Sequence, residues 1–278
     1  MSNPIVPFTL EGASVLHQTF HVRWDEWRAL DGQSRTAIVH EWSEWLTMQE
    51  GAEGGEQSAA YALLGHKGDL MLLHYRADFV GLLEAQSQVQ HLRLSEFLDV
   101  SNSYLSIVEL GLYESTRKIH DDLNERGIEP GSPEWESASA EVLDRQRRAM
   151  AGRLAPEIPE SRYLCFYPMD RKRGEDKNWY QVPFADRQKM MHEHGMIGRK
   201  YGGVVKQVIS GSIGLDNWEW AVDLFADSPV PFKQLIYEMR FDEVSAVYAL
   251  FGEFCIGLRV PSEKFGSFMK GEIRNAVE

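Results

Sequence analysis

His194 stands in the run KMMHEHGMIGRKY. On a helix beginning near Pro183, Met190, Met191 and His194 recur at helical spacing, so the imidazole shares a face with thioethers. A neutral imidazole on an apolar face is a good axial ligand for haem iron. Gly195 is expected to end or loosen that helix and let a planar group approach. A lone histidine on an apolar face can equally be a core residue satisfied by a neighbour. His192, two residues earlier, points elsewhere and reads as solvated. No H-E-x-x-H, CxxC or CxxCH run is present, which argues against a zinc site or a c-type haem.

Tyr167 is followed by Pro168 and the basic run Arg171, Lys172, Arg173. Pro168 is expected to stop sheet pairing and leave the phenol at a sheet end. There a phenol beside cations could serve as a hydrogen donor or redox group with carboxylates held next to it. A core tyrosine before a solvated basic turn fits the same residues. Arg240 and Ser245, in EMRFDEVSAVY, offer a bidentate guanidinium and a hydroxyl to a carboxylate. Asp242 or Glu243 could instead neutralise Arg240 as a surface pair. Gln207 alternates with Val205 and Ile209 on a strand pattern, so it takes their inward face and needs a polar partner there.

The elements that must carry these residues fall into two similar halves. SVLHQTFHVRW (14–24) alternates as a strand. Residues 34–50 read as a helix with Ser34 as N-cap and Ile38, Trp42, Trp45 and Leu46 on one face. Residues 59–77 read as two short strands around a His-Lys-Gly turn, 78–92 as a helix capped by Asp78, and 101–113 as a strand. That order, β-α-β-β-α-β, is the ferredoxin-like split unit. It recurs as a strand at 162–169, a helix at 183–201, strands at 204–214 and 218–226, a helix at 231–241 and a last strand at 247–260. Between the halves, residues 114–150 read as two charged helices around a Pro/Gly elbow at 127–135. The expected fold is α+β, a tandem ferredoxin-like repeat of the dimeric α+β barrel type. Its parts are an N-terminal ferredoxin-like domain at 1–113, a helical connector at 114–155 and a C-terminal ferredoxin-like domain at 156–278.

Composition narrows the partners. Hydrophobic residues are 43% and charged residues 26%, ordinary for a globular chain. The chain has no apolar run long enough to span a membrane. The opening MSNPIVPFTLEG lacks the basic and apolar regions of a secretory leader. Cys165 and Cys255 sit in apolar runs and read as buried free thiols, which fits a reducing cytoplasm. A net charge of −13 disfavours nucleic acid and anionic membranes. Residues 161–210 nevertheless hold ten Lys/Arg against five Asp/Glu, a local +5 that leaves −18 on the remainder. Such a segment suits a local anionic ligand, though a solvated basic face would look the same.

Taken together, these stretches resemble the coproheme (iron-coproporphyrin) decarboxylases of the chlorite dismutase superfamily. The resemblance rests on YPMDRKR, NWY at 178–180, HEHGMIGRKYGGVVKQVISGSIGLDNWEW and QLIYEMRFDEVSAVYALFG, with RLAPEIPE at 153–160 and SYLSIVEL in the first half. It is dense over about a third of the chain. It implies two tandem ferredoxin-like domains per subunit, assembly as a homopentamer, and a porphyrin in the C-terminal domain. It assigns the iron ligand to His194, the reactive tyrosine to Tyr167, the distal glutamine to Gln207, and propionate contacts to Arg153, Arg240 and Ser245. The family usually has lysine four residues after the tyrosine. Here Arg171 holds that position and Lys172 follows, so both are candidates for the same clamp.

The implied reaction uses coproheme as both substrate and cofactor. Hydrogen peroxide reacts at the iron, a high-valent species oxidises Tyr167 to a radical, and the radical takes hydrogen from a propionate β-carbon. Loss of CO2 leaves a vinyl, and two rounds through a three-propionate intermediate give haem b. The tetra-anionic ligand suits the local +5 segment. A transient ferrochelatase contact belongs to the same picture. The competing readings are a chlorite dismutase, a dye-type peroxidase, and a haem carrier or sensor without turnover. In the chlorite-active subclass arginine stands where Gln207 is. A carrier has no use for Tyr167.

Overall fold

The computed structural model describes residues 5–52 and 54–277. The chain opens with strand β1 (Thr9–Val22), the short helix α1 (Trp24–Ala29) and the long helix α2 (Gly32–Glu50). Strands β2 (Ser58–Leu64) and β3 (Leu70–Arg76) form a hairpin, followed by α3 (Phe79–His91) and β4 (Leu98–Gly111). Helices α4 (Tyr113–Glu125), α5 (Pro133–Ala149) and α6 (Ala151–Leu154) connect the halves. The second half runs β5 (Tyr163–Arg171), α7 (Phe184–Lys200), β6 (Lys206–Gly211), β7 (Trp220–Ala226), α8 (Val230–Met239), β8 (Ala249–Phe251) and β9 (Cys255–Arg259).

All strand pairings are antiparallel. The strand order β7-β6-β4-β1-β3-β2-β9-β5-β8, with β5 also paired to β7, closes eight strands into a barrel and leaves β8 on the free side of β5. Each half supplies a four-stranded ferredoxin-like sheet, β4-β1-β3-β2 and β6-β7-β5-β9. One seam pairs Ile107 with Gly211 and Val108 with Ser210; the other runs from Tyr61↔Arg259 to Leu64↔Ile256. The α+β tandem ferredoxin-like expectation is therefore met.

Strand alternation divides the apolar residues between three cores. Val15, Tyr61, Leu73, Tyr75, Leu164 and Phe166 fill the barrel. Phe20, Leu70 and Leu72 point outward beneath Trp42 and Leu46 of α2. Cys165, Tyr167, Val222 and Leu224 point outward on the other side, beneath Phe232, Leu235 and Met239 at α8. Both cysteines are buried and free, as expected.

Several local expectations are corrected. The cap of α2 is Asp31, whose carboxylate accepts the N–H groups of Gln33 and Ser34 at 2.9 Å each. Ser34 lies inside the helix; Gly32, a poor helix former, had disguised the start. The proposed last strand is two strands, β8 and β9, broken at Gly252–Phe254. The alternation of 247–260 concealed that break. Pro168 does not stop pairing: it stays in register with Ala221, and its carbonyl accepts the Gly252 N–H at 2.8 Å. Tyr167 is thus well inside β5. Gly195 does not end α7, which continues to Lys200.

The connector reads as expected, two helices around an elbow, with Ser132 capping α5 and Pro133 in its first turn. Ile119, Leu123, Ile128 and Trp135 give it a small core of its own. It is tied to the barrel where Arg147 Nη1 donates to the Glu11 carbonyl at 2.7 Å. At the neighbouring Gly12, an added Cβ would run into the Leu154 carbonyl. Because that obstacle is backbone, Gly12→Ala is expected to destabilise the protein by about 3 kcal/mol. A urea titration would register this, and an unchanged midpoint would mean α6 is free to move away.

Candidate functional site

The outward face of the second half-sheet, beneath α7 and α8, gathers most of the candidate residues. Along β5, period-two alternation puts Tyr167 and Arg171 on this face and Lys172 off it. Tyr167 is buried against Phe254, stacked at 4.5 Å between centroids, and Phe251 at 5.8 Å. Burial pushes its phenol well above the ordinary range, so the group stays protonated and can be lost only as a hydrogen atom or with a base to receive the proton. Arg240, at the end of α8, lays its guanidinium 3.9 Å from the centre of the Phe251 ring. Phe251 thus contacts both the arginine and the tyrosine.

His194, half-buried on α7, faces the turn that follows α8. Its Nδ1 lies 2.8 Å from Asp242 Oδ2 and 3.4 Å from Ser245 Oγ. A carboxylate at Nδ1 fixes the proton there and leaves the Nε2 lone pair free for a metal. Asp242 is buried and also accepts the Ser245 N–H at 2.7 Å and its hydroxyl at 3.2 Å. Burial alone would raise this carboxyl, but the His194 and Ser245 bonds outweigh it and hold the pKa below the ordinary aspartate value. The suggested surface pairing of Asp242 with Arg240 is thus replaced by a buried Asp242–His194 pair. A short π-helical turn at Val244–Tyr248 brings Ser245 back to the carboxylate.

Arg171 carries the strongest ligand signal. It is 7% exposed, and its Nη1 has no hydrogen-bond partner. Its Nη2 reaches only the Met191 sulfur at 3.7 Å, on the helix face that carries His194. The guanidinium lies over Trp179 at 5.2 Å and Trp220 at 5.9 Å. Burial lowers its pKa, and it makes no ion pair among the described residues. A buried cation with an unused N–H is a receptor for a carboxylate.

Gln207 is half-buried on the same outward face rather than inside the barrel, and its Nε2 donates to the Gly198 carbonyl of α7 at 3.2 Å. Arg153 stands apart: it is exposed on α6, with no hydrogen bond or ion pair to the other candidates among the described residues. Trp179 and Phe254 were not singled out as site residues from sequence, Met191 entered only as a helix-face neighbour of His194, and Asp242 only as a surface partner for Arg240. Asp242 is 48 positions from its imidazole, a separation no spacing rule reads.

The donor set fits an iron tetrapyrrole. Among the described residues no group of three or more His, Cys, Asp or Glu could hold a bare metal ion. An iron that brings four ring nitrogens needs one protein ligand, which His194 Nε2 can supply, and its propionates need buried cations, which Arg171 provides.

Comparison with known proteins agrees with this chemistry. A family model described as chlorite dismutase matches residues 35–260. A Haloquadratum walsbyi protein named as a candidate heme-binding protein is 40% identical over 98% of this chain and 49% of its own length. The coproheme decarboxylase of Staphylococcus saprophyticus is 38% identical over 91% of this chain and 94% of its own. The chain thus spans about half the length of the archaeal relative and nearly all of the bacterial one. A solved heme-binding protein from Thermus thermophilus superposes with a TM-score of 0.81 at 37% identity, covering 97% of this chain and all of that one. Chlorite dismutase from Candidatus Nitrospira defluvii has a TM-score of 0.68 at 18% identity over 93% of this chain and 96% of its own, a likeness of fold alone.

Proposed function

Because the chain belongs to the chlorite dismutase family, we propose that it is a peroxide-dependent coproheme decarboxylase, with coproheme as substrate and cofactor and haem b as product. The observation that carries this reading is the buried, unpartnered Arg171 on the same strand face as Tyr167, against the helix of His194. A carrier needs the imidazole and the cation but gains nothing from a protonated phenol packed against Phe254 and Phe251.

In this reading His194 Nε2 holds the iron, and Asp242 keeps the imidazole oriented and electron-rich. Arg171 and Arg240 fix propionates; Lys172, Ser245 and Arg153 remain the weaker candidates for that task. Bound coproheme supplies the two-electron reduction of peroxide. Tyr167 gives up its hydroxyl hydrogen and regains one from a propionate β-carbon. The propionate then loses CO2 and a further electron. For each propionate, one peroxide and one proton are consumed, and one vinyl, one CO2 and two waters are formed. Selectivity comes from proximity, since only an arm fixed by a cation presents its β-carbon to the phenol.

The test is anaerobic loading with ferric coproheme, then titration with peroxide and mass spectrometry of the porphyrin. Stepwise loss of two carboxyl groups is expected; an unchanged or fragmented porphyrin would refute the assignment. Gln207 separates this from the chlorite reading. It is neutral, with one amide N–H engaged by the Gly198 carbonyl, so it offers an anionic oxidant no charge. Wild-type protein is therefore expected to release negligible O2 from chlorite on an oxygen electrode, and sustained release would favour the chlorite reading.

The family resemblance alone supports the homopentamer, the cytoplasmic setting, the transient ferrochelatase contact and the division at 1–113, 114–155 and 156–278. Among the described residues no helix is long and apolar enough to cross a membrane.

A further inference from the structure

Arg171 is not the only buried guanidinium at this end of the site. Arg187, on the second turn of α7, is 6% exposed. Its Nη2 donates to the Ile5 carbonyl at 2.8 Å, its Nε is buried with no partner, and its guanidinium stands 5.9 Å from the Phe184 ring centre. Arg187, Met191, His194 and Gly198 follow one another at helical spacing, so they share one face of α7. Arg171 enters that stripe from the sheet at Met191, between Arg187 and His194.

The two arginines also act on one phenol. Burial raises the pKa of Tyr113, at the start of α4, and the charges of Arg187 and Arg171 oppose that rise. Its ring stacks on Phe184 at 5.9 Å. The connector holds this arrangement in place, because Gln188 Nε2 donates to Glu114 Oε2 at 2.5 Å.

The surrounding carboxylates are engaged elsewhere. Glu219 accepts the Arg171 backbone N–H at 2.8 Å and pairs with Arg173 at 3.3 Å. Asp242 is occupied by His194 and Ser245. Among the described residues neither Arg171 nor Arg187 has an ion-pair partner within 4 Å. Two like charges are thus held near one phenol, out of water, each with an unused N–H. That arrangement is unfavourable unless an anion completes it.

We infer that Arg187 and Arg171 together form a carboxylate subsite closed by the connector helix, and that Arg187 is a specificity-determining residue for a propionate of the bound porphyrin. The inference rests on the decarboxylase reading and deepens it. Seven residues separate Arg187 from His194, about 10 Å along the helix axis. The propionate arms of a porphyrin held by His194 would extend outward from the ring in this way. A porphyrin carboxylate is therefore favoured over a free small anion, which would need no alignment with the iron ligand.

The test is titration of porphyrin-free wild type, Arg187→Gln and Arg187→Lys with ferric coproheme, followed by the iron's absorption spectrum. Arg187→Gln is expected to weaken coproheme binding about tenfold while the His194-ligated spectrum stays unchanged. Arg187→Lys keeps the charge but loses the planar fork, and is expected to fall between the two. Coproheme affinity within twofold of wild type in a folded Arg187→Gln protein would overturn the inference. If Arg187→Gln fails to fold through loss of the Ile5 bond, Arg187→Lys decides, and wild-type affinity there would overturn it.

A second arm repeats the titration with the uncharged tetramethyl ester of iron coproporphyrin. The wild-type protein should lose affinity for the ester, and the Arg187→Gln variant should lose correspondingly less. Equal losses in both proteins would mean that Arg187 acts on something other than the propionates. Because these readouts are binding and spectrum, failure of the subsite is distinguishable from failure of the decarboxylase reading, which shows in product mass with wild-type protein.

Discussion

Tyr167→Phe is expected to reduce conversion of coproheme to haem b to below about 1% of wild type, an added barrier of about 2.7 kcal/mol or more. Coproheme affinity should stay near that of the wild-type protein. The ring packs against both Phe254 and Phe251, which also contact each other, and phenylalanine preserves those contacts. The hydroxyl makes no hydrogen bond among the described residues, so its removal leaves no abandoned partner. Stability should change by less than about 1 kcal/mol. What is lost is the one hydrogen atom the reaction needs. Phenylalanine has no hydroxyl hydrogen to give, and its ring is far harder to oxidise. Peroxide should still be consumed, but no carboxyl group should leave. The measurement pairs product mass after peroxide addition with a binding titration on the same sample. Complete conversion by the variant would remove Tyr167 from the chemistry. Joint loss of binding and conversion would make it a packing residue of β5.

The sequence was most informative where period and chemistry coincided. The two ferredoxin-like halves were legible because strands such as 14–24 and 101–113 alternate, the others are short apolar runs, and the long helices carry an apolar face. His194, Tyr167, Arg171 and Gln207 were legible as residue types with something unusual in their surroundings, and the structure places all four between α7 and one face of the second half-sheet. What escaped was set by three-dimensional closure. Pro168 looked like a strand end because proline cannot donate to a ladder, yet its carbonyl still accepts from Gly252. Gly195 looked like a helix end because glycine is a poor helix former, but the helix is held on both sides of it, with Arg171 at Met191 and Gln207 at Gly198. Asp242 looked like the partner of its close neighbour Arg240. Instead the turn after α8 directs its carboxylate inward to an imidazole on another helix. Arg187 gave no signal at all, since one basic residue on an amphipathic helix looks solvated until burial and missing partners are known. Placing Arg171 rather than Lys172 on that face required only the register of β5.

Replacing His194 by alanine is expected to abolish proximal ligation and reduce peroxide-driven turnover to about 1% or less, the loss of about 2.7 kcal/mol of barrier lowering. On the proposed reading the porphyrin itself should be retained, though more weakly, because Arg171 and Arg240 would still hold its carboxylates. Two effects must be separated. Removing the imidazole leaves Asp242 with the Ser245 N–H and hydroxyl but without its shortest side-chain bond. Loss of one hydrogen bond to a buried charged group should lower the stability of the porphyrin-free protein by about 1–3 kcal/mol. That cost is independent of iron and would appear in a thermal melt. The ligation effect would appear in the absorption and resonance Raman spectra of the coproheme complex. Added imidazole should bind in the space left by the side chain, with one nitrogen to Asp242 and the other free for iron. It should restore the spectrum and part of the turnover without a covalent link to α7. If the variant's spectrum matches wild type before imidazole is added, another residue ligates the iron, and the role given to the Asp242–His194 pair falls with it.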